Sequence, residues 1–295
     1  MGWLDFFSKK NQPQEPEVTP TEPLLEKTVI VPGITIARAF ANDWAKIETT
    51  KISYVAIKAT PVESMRLEQS KFGHYPKLPA GFDYPKGADG NYLYPLAQIN
   101  FKEVPALPGY PASGLLQFYI SVHDDVYGID FKDNQDQKNF RVLYFEEQEV
   151  EKYQTDFSFL QEVMAADYSP VYKPHALQFS AAEEYLGIGD VRYEDGYNKI
   201  VNEIIEKYPN IKDDLENSLY DDFSSAGHKI GGYAYFTQED PRLFDDVKQH
   251  YILLLQIDTD DEIMWGDSGV ANFFIHPDDL AKKDFSKVIY NWDCC

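Results

Sequence analysis

A short segment of this chain occurs twice with nearly the same pattern, and this repetition constrains the fold more than any other feature. Residues 96–100 read Leu-Ala-Gln-Ile-Asn, and residues 254–258 read Leu-Leu-Gln-Ile-Asp. Each segment is followed by a turn-rich stretch, a glycine, and a second run of aromatic and β-branched residues at 118–120 or 273–275. Apolar runs joined in this way are typical of paired strands. The repetition therefore predicts an internally duplicated β unit.

The composition favours a sheet-rich protein with some helices. Aromatic residues make up 15% of the chain, and aromatic side chains are enriched on pleated, half-buried surfaces. Apolar positions at spacings of three and four predict helices over residues 35–50, 200–208 and 213–220. We therefore expect an α+β fold, a predominantly antiparallel sheet built from the duplicated unit and flanked by helices.

Other segments have strand patterns. Residues 52–59 alternate between apolar and polar side chains, and residues 141–145 and 231–236 are rich in β-branched or aromatic residues. Between residues 73 and 111 the prolines and glycines are too frequent for a long helix. The sheet is thus expected to include more than the two repeated segments.

The N-terminal region differs in composition from the rest of the chain. Residues 13–23 are rich in Pro, Glu and Thr and contain few apolar side chains, a composition that does not support a packed core. No comparable change divides the remainder. We predict a disordered tether over residues 1–27 and a single domain over residues 28–295, made of two related halves.

The net charge restricts the classes of partner. Lys and Arg number 27 against 49 Asp and Glu, a formal net charge of −22. Such a surface repels phosphate backbones and anionic headgroups, which argues against a nucleic-acid partner. The acidity either serves solubility or matches a basic protein partner.

Targeting signals are not evident in the sequence. No apolar run approaches 18 residues, so no transmembrane segment is expected. Asp5 stands where a signal peptide would carry basic residues, and Cys294 and Cys295 are adjacent, which excludes a disulfide framework. A cytoplasmic protein is the expectation.

Three patterns that suggest chemistry are incomplete. Residues 266–269 match the Gly-Asp-Ser-Gly of chymotrypsin-like serine proteases, but the expected histidine context is missing. The acidic run at 258–262 has Ile263 where a calcium loop requires Gly, and the six histidines lack zinc-site spacing. We therefore predict no catalytic residues, no metal site and no cofactor.

Four residues are candidates for binding a ligand or partner. Gln98 and Gln256 occupy matching places at the ends of apolar strands, where a buried amide needs hydrogen-bond partners. They either bond within the core or face a ligand. Trp265 and Asp267 lie in the loop after the second glutamine strand, and Trp265 suits either an interface or a core.

The chain resembles the bacterial YwqG-like family of unknown function over roughly residues 35–295. At the position after Gly73, where a second glycine is expected, this chain has His74. The resemblance implies an α+β body with internal duplication and brings no established catalytic residues. It rests on an ordered series of segments: residues 70–73 with 76–79, 94–100, 114–118, 140–142, 231–233 with 236–242, and 264–269.

Three functions remain open at this point. Some YwqG-like genes are thought to lie near toxin systems, so the resemblance implies a protein-binding, immunity-like role. The alternatives are a small-ligand-binding module with a cleft between the duplicated halves, and an enzyme of unrecognised type.

Overall fold

The computed structural model describes residues 22–31 and 33–294. The helices are α1 (Glu22–Leu25), α2 (Arg38–Ala41), α3 (Trp44–Ile47), α4 (Gln161–Met164), α5 (Asn198–Ile205), α6 (Lys212–Phe223) and α7 (Pro277–Ala281). The strands are β1 (Lys27–Val31), β2 (Ile34–Ala37), β3 (Ile52–Pro61), β4 (Lys71–Phe72), β5 (Tyr94–Asn100), β6 (Leu115–Ile120), β7 (Phe140–Phe145), β8 (His175–Glu184), β9 (Lys229–Gly231), β10 (Ile252–Asp258), β11 (Val270–Ile275) and β12 (Ile289–Asp293).

Ten of the strands form one antiparallel sheet, which confirms the α+β class. Their order is β12-β11-β10-β9-β3-β8-β4-β5-β6-β7. The long strands β3 and β8 pair at the centre over ten residues, with Lys58 opposite Gln178. Two runs of four strands continue outward, β4 to β7 on one side and β9 to β12 on the other. The repeated sequence segments therefore lie in opposite arms of the sheet.

The two arms share a core, because apolar side chains from β6 and β11 face each other. The rings of Phe118 and Phe273 lie 4.7 Å apart, and Phe273 stacks on Tyr290 at 4.8 Å. Phe140 of β7 contacts the same Tyr290 at 5.2 Å. Hydrogen bonds reinforce the contact, since the Trp292 indole N–H donates to the carbonyl of Val126 at 2.7 Å. The sheet thus packs one arm against the other.

A second apolar cluster lies among the helices. Phe40 of α2 packs edge-on against Phe223 of α6 at 6.1 Å, and α5 contributes Ile204 and Ile205 to the same cluster. The helix predicted over residues 35–50 is only partly correct. Residues 35–37 belong to β2, which pairs with β1, and helical turns begin at Arg38. The predicted helices at 200–208 and 213–220 correspond to α5 and α6.

The strand predicted over residues 231–236 ends at Gly231. The reason lies in the hydrogen bonds, because side chains take the N–H groups that a strand would give to a neighbour. Glu184 accepts from the N–H of Tyr233, and Asp190 from that of Ala234. The predicted strands at 52–59 and 141–145 are present as β3 and β7.

The predicted tether lies mostly outside the described residues, which begin at position 22. The N-terminal end of the described chain is helical from Glu22 to Leu25, and Leu24 and Leu25 pack against the second apolar cluster. The tether over residues 1–27 and the single domain over residues 28–295 both stay predictions.

Because one core spans both arms, we expect them to unfold together. Phe273 is fully buried between the arms, so Phe273→Ala should lower the free energy of unfolding by about 3–5 kcal/mol in a single urea transition. Phe131→Ala, at a side chain that is 76% exposed, is the control and should change it by about 0.5 kcal/mol or less. Two separate transitions in the wild-type protein would contradict the shared core.

Candidate functional site

The four residues predicted to bind a ligand or partner lie in different surroundings. Gln98 of β5 and Gln256 of β10 are buried and belong to opposite arms. Trp265 is fully buried, whereas Asp267 is exposed in the same loop. The structure therefore brings Trp265 and Asp267 together but does not join them with both glutamines in one site.

Gln98 holds a loop against the sheet. Its amide nitrogen donates to the carbonyls of Leu67 and Gln69, at 2.7 and 2.9 Å. Its Oε1 accepts from the N–H of Lys77 at 2.8 Å and from Gln117 at 2.9 Å. Every polar atom of this side chain is used within the protein.

Gln256 makes the corresponding contacts in the other arm. Its amide nitrogen donates to the carbonyls of Ser225 and Gly227, at 3.1 and 2.7 Å, and its Oε1 accepts from the N–H of Tyr235 at 2.8 Å. We call these two sets of bonds the glutamine clasps. The contacts favour the core interpretation of both glutamines over the ligand-facing one, and ligand binding by them stays a prediction.

Trp265 packs among aromatic rings. It meets Tyr127 edge-on at 5.4 Å and Trp292 at 6.3 Å. Its indole N–H is buried and has no hydrogen-bond partner among the described residues. Asp267 and Ser268 are exposed in the turn that follows, and Ser268 has a left-handed backbone with φ +69°. The Gly-Asp-Ser-Gly sequence is thus a tight turn between β10 and β11.

A buried ionic network, which the sequence reasoning missed, lies beside β9 and β10. It consists of Asp190, Arg192, Asp240 and Arg242. The Arg242 guanidinium donates to Asp190 at 2.8 Å and to both carboxylate oxygens of Asp240, and its other Nη donates to the carbonyl of Tyr251 at 2.7 Å. Arg192 donates to both oxygens of Asp190, at 2.7 and 3.0 Å.

The electrostatics of the network are balanced. Burial alone would raise the pKa of Asp190, but the guanidiniums of Arg242 and Arg192 more than offset it and hold that pKa well below its usual range. Two carboxylates thus face two guanidiniums in the interior, and buried charges persist when paired in this way. The sequence signal is a pair of Asp-x-Arg triplets, at 190–192 and 240–242.

A cavity of about 250 Å³ adjoins this network. Arg192 and Tyr251 line it together with Asp195 and His250. Since both Nε and one Nη of Arg192 are committed to Asp190, the guanidinium is held in place by a carboxylate that also neutralises it. Arg192 therefore joins Asp190 to the carbonyl of Gly232, which is a structural role.

Two loops in contact form a surface that combines exposed apolar side chains with carboxylates. Lys248 donates to Asn134 at 2.8 Å, and Gln135 donates to Tyr251 at 3.1 Å, so the loop before β7 meets the loop before β10. We call this surface the acidic-apolar face. Phe131 is 76% exposed on the first loop, and Phe244 and Val247 are 76% and 68% exposed on the second. The same loops carry Asp130, Asp133, Asp245 and Asp246.

Two histidines near β8 and β9 converge on one carboxylate. His228 Nε2 lies 3.2 Å from Asp260 Oδ2, and the fully buried His175 lies 4.0 Å from the same oxygen. His228 Nδ1 accepts from the N–H of Asp258, so Nε2 carries the proton and donates to Asp260. Across residues 22–31 and 33–294, no group of three or more His, Cys, Asp or Glu side chains is arranged to hold a metal ion.

Each arm also contains a buried lysine opposite its clasp glutamine. Lys71 pairs in register with Gln98, and Lys229 with Gln256. The Lys71 ammonium donates to the carbonyls of Arg66, Leu67 and Tyr75 at 2.9–3.1 Å, whereas Lys229 pairs with Glu184 at 2.8 Å. Burial lowers the pKa of Lys71 to about 7, against the opposing pull of Glu68 and Glu103.

These features define an α+β protein with a ten-stranded antiparallel sheet, matched polar clasps and a buried ionic network. The chain belongs to the family described as a domain of unknown function, DUF1963, whose model matches residues 70–294. No curated protein matches the chain. None of the described helices has the length and apolar character needed to cross a membrane.

Removing a clasp should destabilise the fold. Gln256→Leu removes the buried amide that bonds to the N–H of Tyr235 and to the carbonyls of Ser225 and Gly227, and the loss of such bonds at part-buried groups costs about 1–3 kcal/mol. We expect urea unfolding to show a loss of about 2–4 kcal/mol, and a similar loss for Gln98→Leu. Unchanged stability in both variants would instead favour the ligand-facing interpretation.

The buried Lys71 should make stability depend on pH. The folded chain releases this proton near pH 7, whereas the unfolded chain keeps it to about 10.5, so the unfolded state binds more protons between these values and stability rises with pH. The contribution reaches at most about 1.4 kcal/mol per pH unit.

The measurement compares variants by urea unfolding between about pH 7 and 9.5. Lys71→Met should remove this part of the slope, while Lys58→Met, at an exposed position, should leave it intact. Equal slopes in Lys71→Met and the wild-type protein would show that Lys71 titrates normally.

Proposed function

We propose that this protein is a non-catalytic interaction module that binds a basic protein partner through the acidic-apolar face. The observation that carries the proposal is the exposure of Phe131, Phe244 and Val247 on two contacting loops that also bear carboxylates. Large exposed apolar groups rimmed by polar residues are a mark of protein–protein interfaces. A net charge of −22 adds long-range attraction for a cationic surface.

The supporting scaffold holds this face in place. The N–H of Tyr290 in β12 donates to the carbonyl of Asn134 at 2.9 Å. Gln135 also donates to the carbonyl of Lys287 at 2.7 Å. The loop that presents Phe131 is therefore tied at Asn134 and Gln135 to β12 and to the segment before it. A partner would meet a largely preformed surface there, which lowers the entropic cost of binding.

We also infer that the two arms are copies of one ancestral unit, as the YwqG-like resemblance implies. The partners of the two clasps support this. Leu67 corresponds to Ser225, Gln69 to Gly227 and Lys77 to Tyr235, and the two members of each pair are the same number of residues apart. A register shift falls between Pro95 and Ala97 in β5 and between Leu253 and Leu255 in β10.

The duplication would also account for the residue after Gly73. His74 has a left-handed backbone with φ +67°, and its counterpart Gly232 has φ +82°. A Cβ at Gly232 would lie 2.0 Å from Glu184 Oε1, so that position requires glycine. His74 therefore keeps the turn geometry although the left-handed backbone conformation is unfavourable for a residue with a side chain. We place the chain with the YwqG-like proteins within its family.

The interaction proposal predicts a loss of binding from changes on one face only. Proteins retained by the purified chain from an extract of its own cells would be identified, and the affinity of a purified basic partner measured by calorimetry. Phe244→Ser with Val247→Ser should weaken binding about tenfold or more, because a truncated hot-spot side chain costs more than about 1–2 kcal/mol. Asp245→Lys with Asp246→Lys should weaken it further and reduce its dependence on salt.

A matched control is available on α6, where Tyr220 is 71% exposed beside the exposed Asp221. Tyr220→Ser with Asp221→Lys should leave binding unchanged. The proposal fails if no basic protein is retained more strongly by the wild-type chain than by the Phe244 and Val247 variant, or if the control weakens binding equally.

A further inference from the structure

We propose that a second site, separate from the acidic-apolar face, binds a small aromatic anion whose carboxylate or phosphate pairs with Arg141. The site is a cleft of about 340 Å³ between β7 of one arm and residues 283–286 of the other. We call it the Arg141 cleft. The residues that would recognise the ligand are Arg141, Tyr144 and Phe285.

Arg141 has hydrogen-bond donors that are free to bind a ligand. Its Nε donates to the carbonyl of Gln137 at 3.2 Å, while its two Nη nitrogens have no hydrogen-bond or ion-pair partner among the residues that the structure describes. The Nε bond restricts the side chain, and the guanidinium is half-buried in the cleft. A planar fork with two free nitrogens matches carboxylate and phosphate oxygens in a bidentate manner.

Gln137 joins the two walls of the cleft. Its amide nitrogen donates to the carbonyl of Phe285 at 2.7 Å, and its Oε1 accepts from the N–H of Val142 at 2.9 Å. One side chain therefore fixes the distance between β7 and the segment before β12. A preformed cleft of this kind loses little entropy when a ligand enters.

Two aromatic residues also line the cleft. Tyr144 and Phe285 stack with ring centroids 5.6 Å apart and an interplanar angle of 24°, and the Tyr144 hydroxyl is anchored by donating to the carbonyl of Ser113 at 2.8 Å. Phe285 is buried behind Tyr144, and the half-buried Tyr144 ring offers an apolar surface to a ring of the ligand. The volume is at the lower end of the range for small-molecule sites, which suits a ligand with one ring.

The other charged side chains at the cleft already have partners within the chain. Lys283 forms an ion pair with Glu146 and lies 5.1 Å from the centre of the Tyr144 ring. The Asp284 carboxylate accepts from the N–H of Ser286 at 3.0 Å. Lys282 and Lys287 are exposed on the same segment. Of the two cations that line the cleft in the described part of the chain, Lys283 has an ion-pair partner and Arg141 has none.

The test uses phenyl phosphate and benzoate as probes, with benzamide as a neutral analogue and inorganic phosphate as an anion without a ring. Calorimetric titration of the full chain should show saturable binding of at least one aromatic anion and at least tenfold weaker binding of both comparison compounds. The better of phenyl phosphate and benzoate identifies the anionic group.

Variants assign the binding to the cleft. Arg141→Gln should weaken the aromatic anion at least tenfold, whereas Arg66→Gln, at an exposed arginine whose side chain is 72% accessible, should leave it unchanged. Arg141→Lys should recover only part of the affinity, since it loses the bidentate fork. Thermal melting of each variant checks that it is folded.

The proposal is overturned if neither aromatic anion saturates, if benzamide binds as well as benzoate, or if Arg141→Gln and Arg66→Gln behave alike. None of these results depends on the acidic-apolar face, so the two proposals can fail separately.

Discussion

A buried amide must find hydrogen-bond partners, and the two clasp glutamines organise much of this fold around that requirement. Gln98 and Gln256 lie on strands that are otherwise apolar up to their last residue, and most of their partners are backbone groups of the loops next to β4 and β9. The backbone has a left-handed conformation next to each clasp, at Gly73 directly after β4 and at Gly231 at the end of β9. The clasps thus hold these loops against the sheet through hydrogen bonds.

The buried charged groups are likewise paired within the chain. Asp190 accepts from the N–H of Ala234, and Arg242 donates to the carbonyl of Tyr251. Because Asp190 and Arg242 also pair with each other, these bonds tie the segment after β9 to the start of β10. Lys229 and Glu184 add an ion pair where β9 meets β3 and β8. These buried groups supply structural specificity, and the surface features, the acidic-apolar face and the Arg141 cleft, lie outside them.

The sequence predicts the sheet-rich α+β class, strands β3 and β7, and helices α5 and α6, because these depend on local periodicity. It does not predict that residues 232–236 leave the sheet, since that follows from carboxylates and an amide that reach them from Glu184, Asp190 and Gln256. The binding surfaces are equally hidden. Arg141 and Phe285 are separated by most of the second arm, and only the folded sheet brings them into one cleft.

The most direct measurement of the clasp account is native-state hydrogen exchange at the amides of Lys77 and Tyr235. Both lie in loops, and each donates to a buried glutamine Oε1 at 2.8 Å. The account predicts that both exchange only through global unfolding, with the same free energy as the central strands. Exchange of either amide at the rate of an open loop would contradict it.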